Sequence, residues 1–234
     1  MTFILAVQFD SRLLWAVLIG WIISVVLHEF AHGLAAHLGG DYTIRERGGL
    51  SLNPLHYVHP FFSLILPAII LLVGGVPLPG GATYVRRDLL RSRLWETAVS
   101  LSGPVMNGLL FLACALPLHP RLGWVDPSAP GEWTDAQVFL GAMAILQFMA
   151  MFLNLVPIPP LDGFGAIAPY LPERWTTMAM TPHVSLALFL VYFAAISQII
   201  RPILRLLMIV LNALGFGSTA GGLFDAYMQA FWGR

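Results

Sequence analysis

The chain has 234 residues, of which 58% are hydrophobic and only 10% are charged. This composition is too apolar for an ordinary soluble domain and indicates an integral membrane protein. The twelve acidic and twelve basic residues cancel to a net charge of zero, so we expect no nucleic-acid partner.

Runs of about 20 apolar residues, the length that spans a bilayer, predict membrane helices. The first predicted span covers residues 13–38. Two short apolar stretches follow it at 42–44 and 50–52, and they flank an Arg-Glu-Arg-Gly-Gly turn, which predicts a small membrane-associated strand hairpin. The next run, 61–76, has only 16 residues and contains Pro67, so it is a weak candidate for a spanning helix.

The second and third predicted spans cover residues 94–116 and 136–157. Two further apolar runs, 184–200 and 203–216, are separated by Arg201 and Pro202 and predict one or two C-terminal helices. We therefore expect an all-α polytopic membrane protein that forms a single domain over residues 1–234. Its three-helix core would lie at about 13–163 and its C-terminal helices at about 183–216.

Residues 28–32 read His-Glu-Phe-Ala-His inside the first predicted span, which is the H-E-x-x-H pattern. On a helix, His28 and His32 lie one turn apart on the same face, so both imidazoles can bind one Zn²⁺ ion. A catalytic zinc site takes three protein ligands and leaves its fourth position to water, which a nearby carboxylate can deprotonate. Glu29 is the candidate for this general base.

The third ligand is not fixed by the motif. His37 would face the opposite side of the same helix, whereas Glu46, His56 and His59 stay possible. Asp162 is the better candidate, because residues 154–163 read Asn-Leu-Val-Pro-Ile-Pro-Pro-Leu-Asp-Gly and the prolines end the third span there. Irregular backbone at membrane depth has to lie within protein or line a polar cavity, so it can present a carboxylate to a metal.

Together these residues resemble the site-2 protease family of intramembrane zinc metalloproteases. Besides the motif at 28–32 and the stretch at 154–163, residues 102–107 read Ser-Gly-Pro-Val-Met-Asn and are similar to the family's Gly-Pro-x-x-Asn element. Residues 50–55, Leu-Ser-Leu-Asn-Pro-Leu, are similar to the short branch that lacks PDZ and CBS domains. That branch continues with His-x-Asp-Pro, where this chain has Tyr-Val-His-Pro at 57–60.

The resemblance implies a zinc-dependent endopeptidase with one Zn²⁺ per chain and Glu29 as its catalytic base. Asn107 and Asn154 would bind the substrate, a membrane protein cut in or near its transmembrane segment. The implied metal ligands are His28, His32 and Asp162. Two alternatives stay open: a catalytically silent scaffold or metal-handling protein with this fold, and a membrane hydrolase of a non-protein amide. The presence of Glu29 favours an enzyme, since a carrier needs ligands but no base.

A shared metal also constrains the topology. His32 and Asp162 can meet only if the end of the first span and the end of the third lie on one membrane face. Because two spans already return the chain between them, the 61–76 run should be re-entrant. Most arginines then lie on the metal-proximal face, which the positive-inside rule assigns to the cytoplasm. We expect a multi-pass protein of a bacterial cell (inner) membrane.

Overall fold

The computed structural model describes residues 11–53, 84–126, 133–217 and 219–232. The regular structure within these ranges is helical, and none of the residues in them belongs to a β-strand. The α-helices, in chain order, are α1 Ser11–Gly39, α2 Thr43–Glu46, α3 Arg93–Ala115, α4 Asp135–Asn154, α5 Asp162–Ile167, α6 Glu173–Met180, α7 Pro182–Ala194, α8 Ile196–Ala213 and α9 Thr219–Trp232.

Three of these helices, α1, α3 and α4, are long and apolar enough to cross a bilayer. They confirm the predicted spans at 13–38, 94–116 and 136–157, and the chain is an integral membrane protein. Their starts follow from the local sequence. Ser92 Oγ accepts the Trp95 N–H at the start of α3, and Thr134 and Gln137 form a capping box at the start of α4. Both devices satisfy helix-end donors that would otherwise lack a partner.

Helix α3 lies between α1 and α4 and packs on both of them. Helix α4 also packs on α9 and is the most enclosed of the three spans. Of its most apolar stretch 72% is buried, compared with 44% in α1 and 39% in α3. Large side chains from each span fill the core, and the rings of Phe111 and Phe148 meet edge-on at 5.1 Å. This close packing sets the register of the three spans, on which the polar contacts described below depend.

Helix α4 ends at Asn154, three residues before the predicted limit of 157. Three prolines between 157 and 160 prevent the helix from continuing, and α5 begins at Asp162. The segment between them folds back closely on itself, since a Cβ added to Gly163 would lie 2.1 Å from the Leu155 carbonyl oxygen. Glycine is therefore required beside Asp162, and this backbone contact sets where the Asp162 side chain starts.

The predicted strand hairpin at 42–44 and 50–52 is wrong. Residues 43–46 form the single turn of α2, and residues 47–50 continue as turns. Burial decides the local structure here. Ile44 is fully buried, and a Cβ added to Gly49 would lie 2.6 Å from its side chain. Gly49 in turn touches α1, where a Cβ on Gly33 would lie 1.8 Å from the Gly49 carbonyl oxygen. A compact turn makes these contacts, and an extended pair of strands would not.

A buried carboxylate holds this turn against the start of α3. Asp41 is fully buried and accepts hydrogen bonds from Arg47 Nη2 at 2.9 Å, from the Thr43 hydroxyl, and from the Arg86 backbone N–H at 2.9 Å. Burial alone would raise the pKa of Asp41, but the hydrogen bonds from Thr43, Arg86 and Arg47 hold that pKa below its ordinary value. The ionised side chain links the end of α1 to the segment that leads into α3.

The predicted re-entrant segment at 61–76 lies outside the described residues. The described residues on either side of it are neighbours. Arg47 Nη1 donates to the Tyr84 carbonyl at 2.9 Å, and the Arg91 N–H donates to the Gly39 carbonyl at 2.9 Å. The end of α1 and the start of α3 thus lie together, as expected if both are on the same membrane face. The re-entrant path between them stays a prediction.

The C-terminal part contains more helices than the predicted one or two. The break between α7 and α8 falls at Ala195, and the predicted break at Arg201 and Pro202 is wrong, because Pro202 lies inside α8. Membrane helices tolerate such a proline where neighbouring groups satisfy the freed carbonyl. Helix α9 has no counterpart in the predicted fold, since glycines and polar residues interrupt its apolar run. The assignment of the whole chain to one domain stays a prediction.

Candidate metal centre

Three side chains from two distant parts of the chain converge where α1 approaches the start of α5. His28 Nε2 lies 3.1 Å from His32 Nε2 and 3.2 Å from Asp162 Oδ2, and His32 Nε2 lies 3.3 Å from Asp162 Oδ1. Ligand atoms bound at about 2.0–2.1 Å to a tetrahedral ion are about 3.3–3.4 Å apart. The distance between the two nitrogens is close to this value, and each nitrogen lies close to one oxygen of the Asp162 carboxylate, so the three side chains could hold one small ion.

The two histidines project from successive turns of α1 onto its buried face, and Asp162 is the first residue of α5. The His28 and His32 side chains are 3% and 9% exposed, whereas the Asp162 side chain is 20% exposed. The centre is thus enclosed on the side of α1 and α3 and accessible on the side of Asp162. Among the described residues, the more exposed side of the centre is thus the one beside the end of α4.

The far nitrogen of each imidazole has an oxygen partner. His28 Nδ1 lies 2.5 Å from Asn107 Oδ1, and His32 Nδ1 lies 2.7 Å from the Val99 carbonyl oxygen. A carbonyl oxygen can only accept, so each Nδ1 carries the proton and donates it. In the neutral rings, both Nε2 atoms then present lone pairs to the same point. These outer partners therefore hold the tautomer that a metal ligand needs.

The donor atoms fit a cation. With both imidazoles in the tautomer that donates from Nδ1, two nitrogen lone pairs face each other at 3.1 Å, and Asp162 Oδ2 is buried without a hydrogen-bond partner among the residues that the structure describes. An unsatisfied buried carboxylate oxygen is unfavourable, and a cation between the three atoms would satisfy all of them. Two imidazole nitrogens and one carboxylate are a donor set that suits zinc.

Gly103 of α3 forms the wall of the centre. A Cβ added to Gly103 would lie 2.3 Å from His32 Nε2 and 2.5 Å from His28 Nε2, which is close to the length of a zinc–nitrogen bond. A methyl group here would take the space of the ion or displace the ligands. The absence of a side chain at this position is what leaves room for a metal.

Glu29 follows the first ligand on α1 and is buried, at 4% exposure. It is not among the residues whose ligand atoms converge, which are His28, His32 and Asp162. Glu29 is thus a buried carboxylate outside the converging ligand set, and its role as a general base stays a prediction.

The other candidate ligands have different surroundings. The ring of His37 packs edge-on against Tyr42 at 5.2 Å, and Glu46 is exposed on α2. Neither belongs to the converging group found among the described residues. His56 and His59 lie outside the described residues.

The two asparagines predicted to bind substrate are both buried. Asn107 is 2% exposed, and both ends of its amide are engaged, by His28 and by Gln147. Asn154 is 5% exposed, and its Nδ2 has no hydrogen-bond partner among the described residues. Substrate binding by either residue stays a prediction.

Sequence reasoning missed Gln147, and it included Gly103 in the Gly-Pro-x-x-Asn element without giving it a role. Gln147 is a polar residue in the middle of an apolar span, which is a signal of function that could have been read directly. The closeness of Gly103 to the centre depends on the register between α1 and α3, which no local pattern reveals.

Comparison with known proteins gives three informative relatives. A Mycolicibacterium smegmatis protein named "Putative zinc metalloprotease Rip2" is 44% identical over 164 residues, which cover 70% of this chain and 60% of that protein. A Mycobacterium tuberculosis protein of the same name is 40% identical over 180 residues, covering 76% and 66%. A Bacillus subtilis protein named "Putative zinc metalloprotease YwhC" is 31% identical over 152 residues, covering 64% and 67%.

The chain thus spans 60% of the length of the first of these relatives. No protein-family model matches the chain, and no solved structure matches it.

Proposed function

Because the chain belongs to the site-2 protease family, we propose that it is a zinc-dependent endopeptidase that hydrolyses a peptide bond in or near the transmembrane segment of another membrane protein. One observation carries this proposal. His28 Nε2 and His32 Nε2 lie 3.1 Å apart on a membrane-spanning helix that also carries the buried Glu29, and each nitrogen lies 3.2–3.3 Å from one carboxylate oxygen of Asp162. Ionisable groups are costly at such depth and indicate function.

The proposed roles follow from the positions of the side chains. His28, His32 and Asp162 would hold one zinc ion per chain, which when bound would supply a Lewis acid at the open side of the centre. Glu29 would take a proton from a water molecule as the oxygen of that water attacks the scissile carbonyl carbon. Glu29 would then pass that proton to the leaving amide nitrogen as the C–N bond breaks, so no further proton donor is needed.

Water must reach a centre that lies below the membrane surface. His32 is seven residues before the end of α1 at Gly39, which places it about 10 Å from that end at 1.5 Å per residue. The centre is accessible on the Asp162 side, beside the irregular backbone that follows α4. This segment is our candidate for the wall of a polar path, since non-helical backbone at this depth is stable only within protein or beside water.

We also propose that the centre faces the cytoplasm of a bacterial cell. Six arginines lie beside the end of α1 and the start of α3, whereas only Arg12 and Arg121 flank the described parts of α1 and α3 at their other ends. The six are Arg45, Arg47, Arg86, Arg87, Arg91 and Arg93. The positive-inside rule places the arginine-rich end in the cytoplasm.

The substitution Glu29→Gln tests the proposal in purified protein. It should leave zinc content at one ion per chain and lower cleavage of a membrane-protein substrate in proteoliposomes by at least about 100-fold, because it removes the base but no ligand. The matched control is Glu46→Gln, which makes the same change on exposed α2 and should cleave normally. Undiminished cleavage by Glu29→Gln would refute the assignment.

The same experiment addresses a metal-handling role. A carrier would bind zinc but cleave nothing in the wild type, and Glu29→Gln would change neither property. The buried glutamate beside the ligands favours the enzyme, since it would serve no purpose in a carrier.

A further inference from the structure

A chain of buried polar contacts runs from the middle of α4 to the metal centre. Gln147 Oε1 accepts a hydrogen bond from Asn107 Nδ2 at 2.7 Å, and Asn107 Oδ1 accepts one from His28 Nδ1 at 2.5 Å. The three residues are 0%, 2% and 3% exposed and belong to α4, α3 and α1 respectively. A polar path thus crosses the whole three-helix core and ends on a proposed ligand.

This series of hydrogen bonds has a fixed direction from donor to acceptor. For His28 Nε2 to keep its lone pair, Nδ1 must carry the proton and needs an acceptor, which is Asn107 Oδ1. Its amide nitrogen then points the other way and needs an acceptor in turn, which is Gln147 Oε1. Each partner can satisfy its neighbour in only one orientation, so the Gln147 carbonyl sets the orientation of the Asn107 amide.

This direction leaves one donor without a partner. Gln147 Nε2 is buried, and no group among the described residues accepts from it. An unsatisfied buried donor costs about 1–3 kcal/mol, and such groups in native structures call for an explanation. If Gln147 served only to join α3 to α4, an apolar side chain would avoid the cost of the unpaired Nε2. If Gln147 has to present its Oε1 as an acceptor to Asn107, the unpaired Nε2 is an unavoidable part of the same amide.

We propose that Gln147 is a positioning residue for the metal centre: it holds the Asn107 amide so that Asn107 accepts from His28 Nδ1, which keeps His28 Nε2 free for zinc. This inference rests on the proposed zinc site. Without the Gln147 carbonyl, the Asn107 amide can turn by 180° and present its NH₂ group to His28. The ring would then move its proton to Nε2, where it blocks the metal.

The test compares Gln147→Met with Gln147→Glu in purified protein, with zinc affinity measured by competition with a chelator and thermal unfolding followed without zinc. Gln147→Met removes the acceptor and should lower zinc affinity about 10-fold. Gln147→Glu keeps an oxygen toward Asn107 in either protonation state and should retain most of the affinity. Gln198→Met makes the same change at an exposed position on α8 and should bind zinc normally.

The unfolding measurement separates positioning from simple helix packing. Gln147→Met removes the unpaired Gln147 Nε2 and leaves one polar atom of the Asn107 side chain without a partner, so the zinc-free melting temperature should stay within about 2 °C of the wild type. Wild-type zinc affinity in Gln147→Met, or equal losses of affinity in the Met and Glu variants, would overturn the proposal.

A further variant distinguishes an error in the proposed role of Gln147 from an error in the proposed zinc site. Asp162→Ala should lose zinc binding whether or not Gln147 positions His28. If Asp162→Ala loses zinc binding while Gln147→Met does not, only the proposed role of Gln147 is wrong. If Asp162→Ala binds zinc like the wild type, the proposed ligand set is wrong, and the proposed role of Gln147 is wrong as well.

Discussion

The substitution Gly103→Ala should lower zinc affinity more than 100-fold by adding a single methyl group. The new Cβ would lie 2.3 Å from His32 Nε2 and 2.5 Å from His28 Nε2, whereas real Cβ atoms essentially never approach another heavy atom within 3.0 Å. The two nitrogens would have to retreat by about 0.7 Å and 0.5 Å. Zinc ligands tolerate about 0.2 Å, so both ligands would leave the range in which they bind.

Displacing two ligands should weaken binding by more than the loss of an outer-shell partner, which costs about 10- to 100-fold. We therefore expect zinc affinity to fall more than 100-fold in Gly103→Ala, which is more than about 2.8 kcal/mol at 1.4 kcal/mol per decade. Chelator competition on purified protein measures the affinity, and peptidase activity should disappear in parallel.

The control is Gly108→Ala on the same helix. Its added Cβ would meet only the sulfur of Met151, at 3.0 Å, and a flexible methionine can move aside. Gly108→Ala should bind zinc normally. If Gly103→Ala bound zinc with wild-type affinity while remaining folded, Gly103 could not border the ion, and the arrangement of His28 and His32 described above would be incorrect.

Three further predictions concern other parts of the molecule. Asp41→Asn should destabilise the protein by about 1.5–3 kcal/mol at neutral pH, because it weakens charged hydrogen bonds. Since folding lowers the pKa of Asp41, its contribution is complete above the unfolded value of about 3.9 and is lost as the pH falls through the folded value. The difference in melting temperature between wild type and Asp41→Asn should therefore be constant from pH 7 to about 5 and vanish in stronger acid. Single cysteines at Arg45 and Arg87, in a Cys114→Ala background, should react with an impermeant thiol reagent from the same side of the membrane, and labelling from opposite sides would contradict the topology. Substrates with Gly or Pro within one turn of the cut site should be cleaved faster than an all-Leu segment, because helical carbonyls are shielded by their own hydrogen bonds; equal rates in proteoliposomes would exclude unwinding as the limiting step.

Hydropathy was sufficient to predict the three spans, and motif spacing was sufficient to predict that His28 and His32 meet; the family resemblance implied Asp162 as the third member. Spans are set by a length of apolar chain, and the pairing of His28 with His32 is set by helix periodicity, so both are local properties. The proximity of Asp162 is less local. It could be anticipated because prolines end α4 at a depth where irregular backbone needs a protein or polar environment.

The failures have a common physical cause, which is that distant contacts decide the outcome. The turn at 43–50 depends on Asp41 accepting from Arg86, 45 residues away, and on the fit of Gly49 against α1. Gln147 and Gly103 gain their roles from the relative register of α1, α3 and α4, which only the assembled core defines.

The order in which the proposed ligands are synthesised has a consequence for the living cell. His28 and His32 belong to the first span, whereas Asp162 follows the third, so 134 residues separate the first ligand from the last. At 5–20 residues per second, roughly 7–27 s pass between their emergence from the ribosome. During that interval the newly inserted first helix carries its histidines and Glu29 without the carboxylate that completes the donor set. The proposed protease would therefore remain inert toward its neighbours in the membrane until Asp162, which follows its third span, is in place.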